Sequence, residues 1–300
     1  MSGFHNTVTP LALGLLLVLG CAGEAQQSRD LLPEGTFTPG IEGPATDADG
    51  NIYAVNFAEE GTVGRVSPDG EATLYLRLPE GSIGNGIQFD AGGNMYIADY
   101  MGHKVYRKPA SGGALEVWAE DARMNQPNDL CIRADGTIYL SDPNWAESTG
   151  NLWRVTPERQ VELLEADIGT TNGITLSPDG TYLYVNESVQ RSVWRYGVQA
   201  DGRLGKRELL IQFPDFGMDG MRCDIEGNIY IARYDKGTIA LVSPEGELLR
   251  EYPLTGKKPS NLTFGGPDGK TVYVTLADRG CFETFTAPHA GAFIHINLTK

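Results

Sequence analysis

An all-β fold, a six-bladed β-propeller of four-stranded antiparallel blades, is predicted by three features of this sequence, and a ring of oxygen side chains makes its centre a metal-containing channel. A tyrosine returns six times, as Tyr53, Tyr96, Tyr139, Tyr184, Tyr230 and Tyr273, at intervals of 43, 43, 45, 46 and 43 residues. A repeat of this length marks a unit that cannot bury its own apolar face and must stack on copies of itself. Each copy lies in a short apolar run that follows a turn containing Gly, and no stretch sustains the 3.6-residue apolar period of a helix, which disfavours a helical solenoid. A Trp-Asp signature at strand ends is missing, which disfavours a WD-type propeller.

The second unit shows the strands most plainly. Gly86 to Asp90 forms the first, Asn94 to Asp99 the second after the turn at Gly92-Gly93, His103 to Arg107 the third and Ala114 to Trp118 the fourth. Short runs rich in β-branched and aromatic residues, divided by turn residues, make an antiparallel blade. Unit three repeats this with Leu130 to Ile132, Thr137 to Leu140, Asn151 to Val155 and Val161 to Leu164, and unit four with Ile174 to Leu176, Tyr182 to Val185 and Ser192 to Tyr196. The tyrosines read as packing residues of each second strand.

Six blades account for residues 34–300 of the 300-residue chain without a second domain. Net charge is −15. Such a surface repels nucleic acid and anionic membranes and concentrates cations. Residues 1–21 hold no Lys, Arg, Asp or Glu, and Leu11 to Gly20 is an apolar run too short to cross a bilayer but suited to an export signal. It ends Val18-Leu19-Gly20-Cys21, which resembles a bacterial lipobox with Cys21 as the lipidated residue. The expectation is an exported chain, periplasmic or membrane-anchored as a lipoprotein, with residues 22–33 as a polar tether and the lipid as its one membrane contact. Cys131, Cys223 and Cys281 remain, an odd number without a Cys-x-x-Cys pair, and read as buried structural thiols.

Eleven or twelve residues ahead of the tyrosines stand Glu42, Asn85, Asn128, Asn172, Asp219 and Asn261. In a propeller the loop leading into each innermost strand lies over one mouth of the channel, so these six side chains should converge there. Asn-Gly and Asp-Gly pairs also shape turns without any ligand role. Glu42 has no such turn role, and Glu42, Asn172 and Asp219 are the strongest candidates for metal ligands. Two carboxylates with amide carbonyls form a hard, all-oxygen set suited to Ca²⁺, with Mg²⁺, Mn²⁺ or Zn²⁺ as alternatives.

At these residues the chain resembles the SMP-30/gluconolactonase/LRE-like family of six-bladed lactonases, also called regucalcin-like. The resemblance rests on Glu42-Gly43-Pro44, Pro127-Asn128-Asp129, Thr171-Asn172-Gly173-Ile174, Met218-Asp219-Gly220-Met221 and Lys258-Pro259-Ser260-Asn261-Leu262, in order and at blade spacing. It implies a calcium-dependent lactonase in which Glu42, Asn172 and Asp219 hold the metal, Asn128 contacts substrate and Asp219 assists the attacking water.

The expected reaction is hydrolysis of a small-molecule lactone, most simply a sugar lactone, by metal-activated water, with Asp219 as proton acceptor. Asn85 and Asn128 would orient the ring, and Tyr100, His103, Asp142 and Trp145 would wall the pocket from loops on the same mouth. No Gly-x-Ser-x-Gly elbow is present, which argues against a serine hydrolase. Two other readings use the same residues: a phosphotriesterase or arylesterase, and a non-catalytic ligand-binding propeller with a structural ion.

Overall fold

The computed structural model describes residues 27–292 together with Met1 and Gly3. The export signal and Cys21 lie outside the described residues. Among those described there are 24 strands and no helix. Strand β1 (Arg29–Asp30) precedes the first blade, which comprises β2 (Phe37–Thr46), β3 (Ile52–Phe57), β4 (Thr62–Val66) and β5 (Ala72–Arg77). Blade two is β6 (Gly84–Phe89), β7 (Met95–Asp99), β8 (Lys104–Lys108) and β9 (Glu116–Glu120), and blade three β10 (Leu130–Ile132), β11 (Ile138–Asn144), β12 (Thr149–Val155) and β13 (Val161–Gly169). Blade four is β14 (Thr171–Leu176), β15 (Tyr182–Glu187), β16 (Ser192–Val198) and β17 (Leu204–Gln212). Blade five is β18 (Met221–Cys223), β19 (Ile229–Arg233), β20 (Thr238–Val242) and β21 (Leu248–Pro253). Blade six takes β22 (Pro259–Gly265), β23 (Thr271–Leu276) and β24 (Cys281–Thr286), and its fourth strand is β1.

This closure corrects one expectation. Arg29 and Asp30 pair with Thr284 and Glu283, so part of the segment read as a tether is the outer strand of the last blade. A two-residue strand carries no apolar period to betray it.

The cores lie between blades. Six apolar clusters each join two neighbours: Tyr53 and Val55 of blade one pack with Ile87 and Ile97 of blade two, and Phe282 of blade six closes the circle on Phe37 and Ile41 of blade one. No blade buries its faces alone, which is the physical content of the repeat. The recurring tyrosines sit in these seams, and two have a second duty. Asp47 gathers Asp49 N, Asn51 N and the Tyr53 hydroxyl, and Asp90 gathers Gly92 N, Asn94 N and the Tyr96 hydroxyl. Asp224 holds the corresponding Glu226 and Asn228 amides of blade five. Gly50, Gly93 and Gly227 follow with φ near +80°, as these tight turns require.

Candidate functional site at one mouth of the channel

The ring residues do not all lie in loops. Glu42, Asn85, Asn172 and Asn261 fall within innermost strands, each where the pairing register of the strand slips, while Asn128 and Asp219 stand two residues ahead of β10 and β18. A bulge of this kind re-aims a side chain out of the alternating pattern. Here it turns side chains toward the channel. The glycines that follow have a reason other than turning. Gly86, Gly173 and Gly220 lie outside the positive-φ region, but a Cβ on them would stand 2.8 Å from Asn128 O, 2.4 Å from Asp219 O and 1.9 Å from Asn261 Cγ. Neighbouring innermost strands approach too closely for any side chain there.

Glu42, Asn85, Asn128, Asn172 and Asp219 share one pocket of about 390 Å³, lined also by Tyr100, Trp145 and Tyr234. Buried oxygens face it without partners: Glu42 Oε1, Asn128 Oδ1 and Asn172 Oδ1. Buried polar atoms are normally paired, so such a cluster suits a bound ligand. The Asn172 oxygen is aimed by its own amide. Asn172 Nδ2 donates to Ser188 Oγ at 3.0 Å, and Ser188 donates onward to Met218 O.

The electrostatics point the same way. Burial, with the Asp129 carboxylate nearby, pushes Glu42 up to about 7. Burial and the adjacent Glu42 hold Asp219 well above the usual carboxylate range, against the Asn172 amide, which favours its charge. Neither Lys nor Arg is among the described residues lining this pocket. Two facing carboxylates with orphaned amide oxygens fit a hard divalent cation, which would relieve both the repulsion and the missing contacts. The pair falls short of a cluster of three His, Cys, Asp or Glu side chains, and no such cluster occurs among the described residues.

Three placements differ from expectation. Asn261 does not offer its oxygen: Oδ1 accepts Leu262 N at 2.8 Å, and Nδ2 donates to Glu42 Oε2 at 3.0 Å and to Asp129 Oδ2 at 3.3 Å. It supports Glu42 from below. Asp142 is no pocket wall, because β11 extends past it; its fully buried carboxylate accepts Asn125 N at 2.9 Å, Gln126 N at 2.6 Å and Trp153 Nε1 at 2.7 Å. His103 is exposed, with φ +54°, and does not line the pocket.

Next to the site a pair unforeseen from sequence joins blades three and five. Arg222 of blade five donates from Nη1 to Asp129 Oδ2 at 2.8 Å and from Nη2 to Oδ1 at 3.3 Å, both side chains buried. Its signal was present as a lone charge in the apolar strand Met221-Arg222-Cys223.

The sequence model of the family described as SMP-30/Gluconolactonase/LRE-like region matches residues 42–278, which begins at the candidate ligand Glu42. The chain belongs to this family. Among its relatives is a gluconolactonase of Zymomonas mobilis, 27% identical over 272 residues that span 79% of this chain and 76% of the relative. Diisopropyl-fluorophosphatase of Loligo vulgaris is 26% identical over 284 residues, 82% of this chain and 88% of that one. A crystal structure of a calcium-binding protein, regucalcin, from Agrobacterium tumefaciens superposes with a TM-score of 0.76 at 25% identity, covering 89% of this chain and 95% of its own. The family membership and the fold thus agree with the blade repeat and the ring motifs from which both were expected.

Proposed function

We propose that this chain is a lactonase, a hydrolase that opens a sugar lactone with the help of a calcium ion held by Glu42, Asn172 and Asp219. The carrying observation is the set of partnerless buried oxygens, from three blades, around two carboxylates at the floor of an open pocket. Kinship with the Zymomonas gluconolactonase supports the substrate class, and the calcium-binding Agrobacterium structure supports the ion.

A bound divalent cation supplies Lewis acidity toward an ester carbonyl and lowers the pKa of water. The protein's own groups do the rest. Asp219, at the pocket floor, accepts the proton of the attacking water and passes it to the ring oxygen that leaves. Asn85 and Asn128, on the polar side of the pocket, orient the ring, while Tyr100, Trp145 and Tyr234 limit how it can lie. Asn261 and Ser188 hold Glu42 and Asn172 in place from behind.

The same residues could act on a phosphoryl oxygen, a reading favoured by the kinship with diisopropyl-fluorophosphatase. A panel of lactones and phosphotriesters, followed by proton release with calcium and with chelator, separates the two. The expected result is lactone turnover that needs the ion and falls at least about 10³-fold in Asp219→Asn. Undiminished turnover after chelation would remove the metal from the proposal, and phosphotriester turnover alone would exchange the substrate.

A further inference from the structure

The mouth is not uniform around its rim. Beside the polar pocket lies a second hollow of about 570 Å³ whose inner edge is formed by Asn172 and Asp219, so the two are continuous. Trp145, Val189, Phe216 and Met218 give it an apolar wall, which Ser188, Arg191 and Tyr234 complete with polar groups. Val189 is 53% exposed, Phe216 47% and Trp145 44%, an apolar surface left open to water beside the candidate ligands.

The segment bearing Phe216 is held firmly. Phe213 N donates to Arg191 O at 2.9 Å, Arg191 Nη1 to Pro214 O at 2.8 Å, and Arg233 Nη2 to Asp215 O at 2.6 Å and Oδ1 at 2.8 Å. Phe216 itself stands at φ +43°, a region that bulky side chains occupy only when their surroundings impose it. The brace therefore presents an aromatic ring to the hollow when burying it would be favourable. Apolar surface that is exposed, fixed and continuous with a polar site is the usual make-up of a ligand pocket.

We propose that this hollow receives an apolar substituent of the substrate, so that the preferred lactone carries an alkyl or aryl group while its ring and oxygens occupy the polar side. The inference rests on the lactonase reading and replaces a plain sugar lactone by a lactone that bears an apolar group. Its volume, larger than that of the polar half, and its direct junction with Asn172 and Asp219 favour part of the substrate over a separate ligand.

The test uses the full chain with calcium and a series of δ-lactones bearing hydrogen, methyl, propyl, pentyl or phenyl at the carbon next to the ring oxygen, with glucono-δ-lactone alongside. We expect kcat/KM to rise about fourfold per added methylene, the gain expected from burying each one. Phe216→Ala should flatten that slope, and Val189→Ser, in the separate loop between β15 and β16, should do so even if the first variant folds poorly. Turnover of glucono-δ-lactone with no rise along the series would overturn the apolar substituent and leave the lactonase reading intact. A slope unchanged in both variants would overturn the assignment to this hollow. Absence of turnover for every lactone would sink both readings together.

Discussion

Glu42 is a carboxylate placed where water barely reaches it, with Gly43 N and Asn261 Nδ2 on one oxygen and nothing on the other. Burial raises its pKa to about 7 from an ordinary 4.5. An acid whose folded pKa is raised favours the folded state below its unfolded pKa, and that contribution is lost as pH climbs toward the folded value. In chelator-treated protein the Tm should therefore fall between about pH 4.5 and pH 7, and added calcium should raise Tm more at pH 7.5 than at pH 5. Glu42→Gln should flatten both trends. Carboxylates held low by arginines, such as Asp121 and Glu116, titrate below this window and do not mask it. A Tm that rises over the same interval would show that the site is not the strained pair described. At this scale the sequence was legible wherever a residue type broke the local rule: Glu42 stood out because glutamate has no turn role. Asp142 misled, since two residues beyond an apolar run read as loop although pairing with Asn151 continues the strand through it.

Each innermost strand must present a side chain to the axis and still approach its neighbour, and Gly173 and Gly220 satisfy the second demand. Gly220→Ala would drive a methyl into Asn261, the residue that braces Glu42, and overpacking of this kind costs about 1–3 kcal/mol. Gly197, in the third strand of blade four, has open space where its Cβ would be and serves as the control. Thermal unfolding should show a clear drop for Gly220→Ala and almost none for Gly197→Ala; equal shifts would reject close approach as the reason for the glycine. The repeat was easy to read at the level of strands because tyrosine and turn aspartate recur at fixed offsets. The bulges were not, since a slipped register leaves the residue pattern of a loop and a strand alike. Ser188 was hidden for another reason: its role depends on Asn172 reaching across from the neighbouring strand, and no local pattern encodes that.

The ring is closed by two residues and the charges around them. Arg279 pairs with Asp30 at 2.6 Å and Glu34 at 2.7 Å, and Ser28 Oγ donates to the buried Glu283 at 2.6 Å. Deleting residues 1–30 should lower Tm by at least about 5 °C relative to deleting residues 1–26, because loss of a few kcal/mol at this seam exposes the edge of β24. Equal melting of the two would mean that β1 contributes nothing to closure. The number of blades was readable from the period, but the seam was not, because its strand comes from the other end of the chain. The Asp129–Arg222 pair has a different effect on the molecule. It joins blades three and five, and the pocket that holds Glu42 shares no lining residue with the hollow that Arg222 lines, so on the proposed reaction the opened hydroxy acid departs past the rim by which the lactone arrived. The product carries a negative charge that the neutral lactone lacked, and a chain of net charge −15 favours its escape over its return.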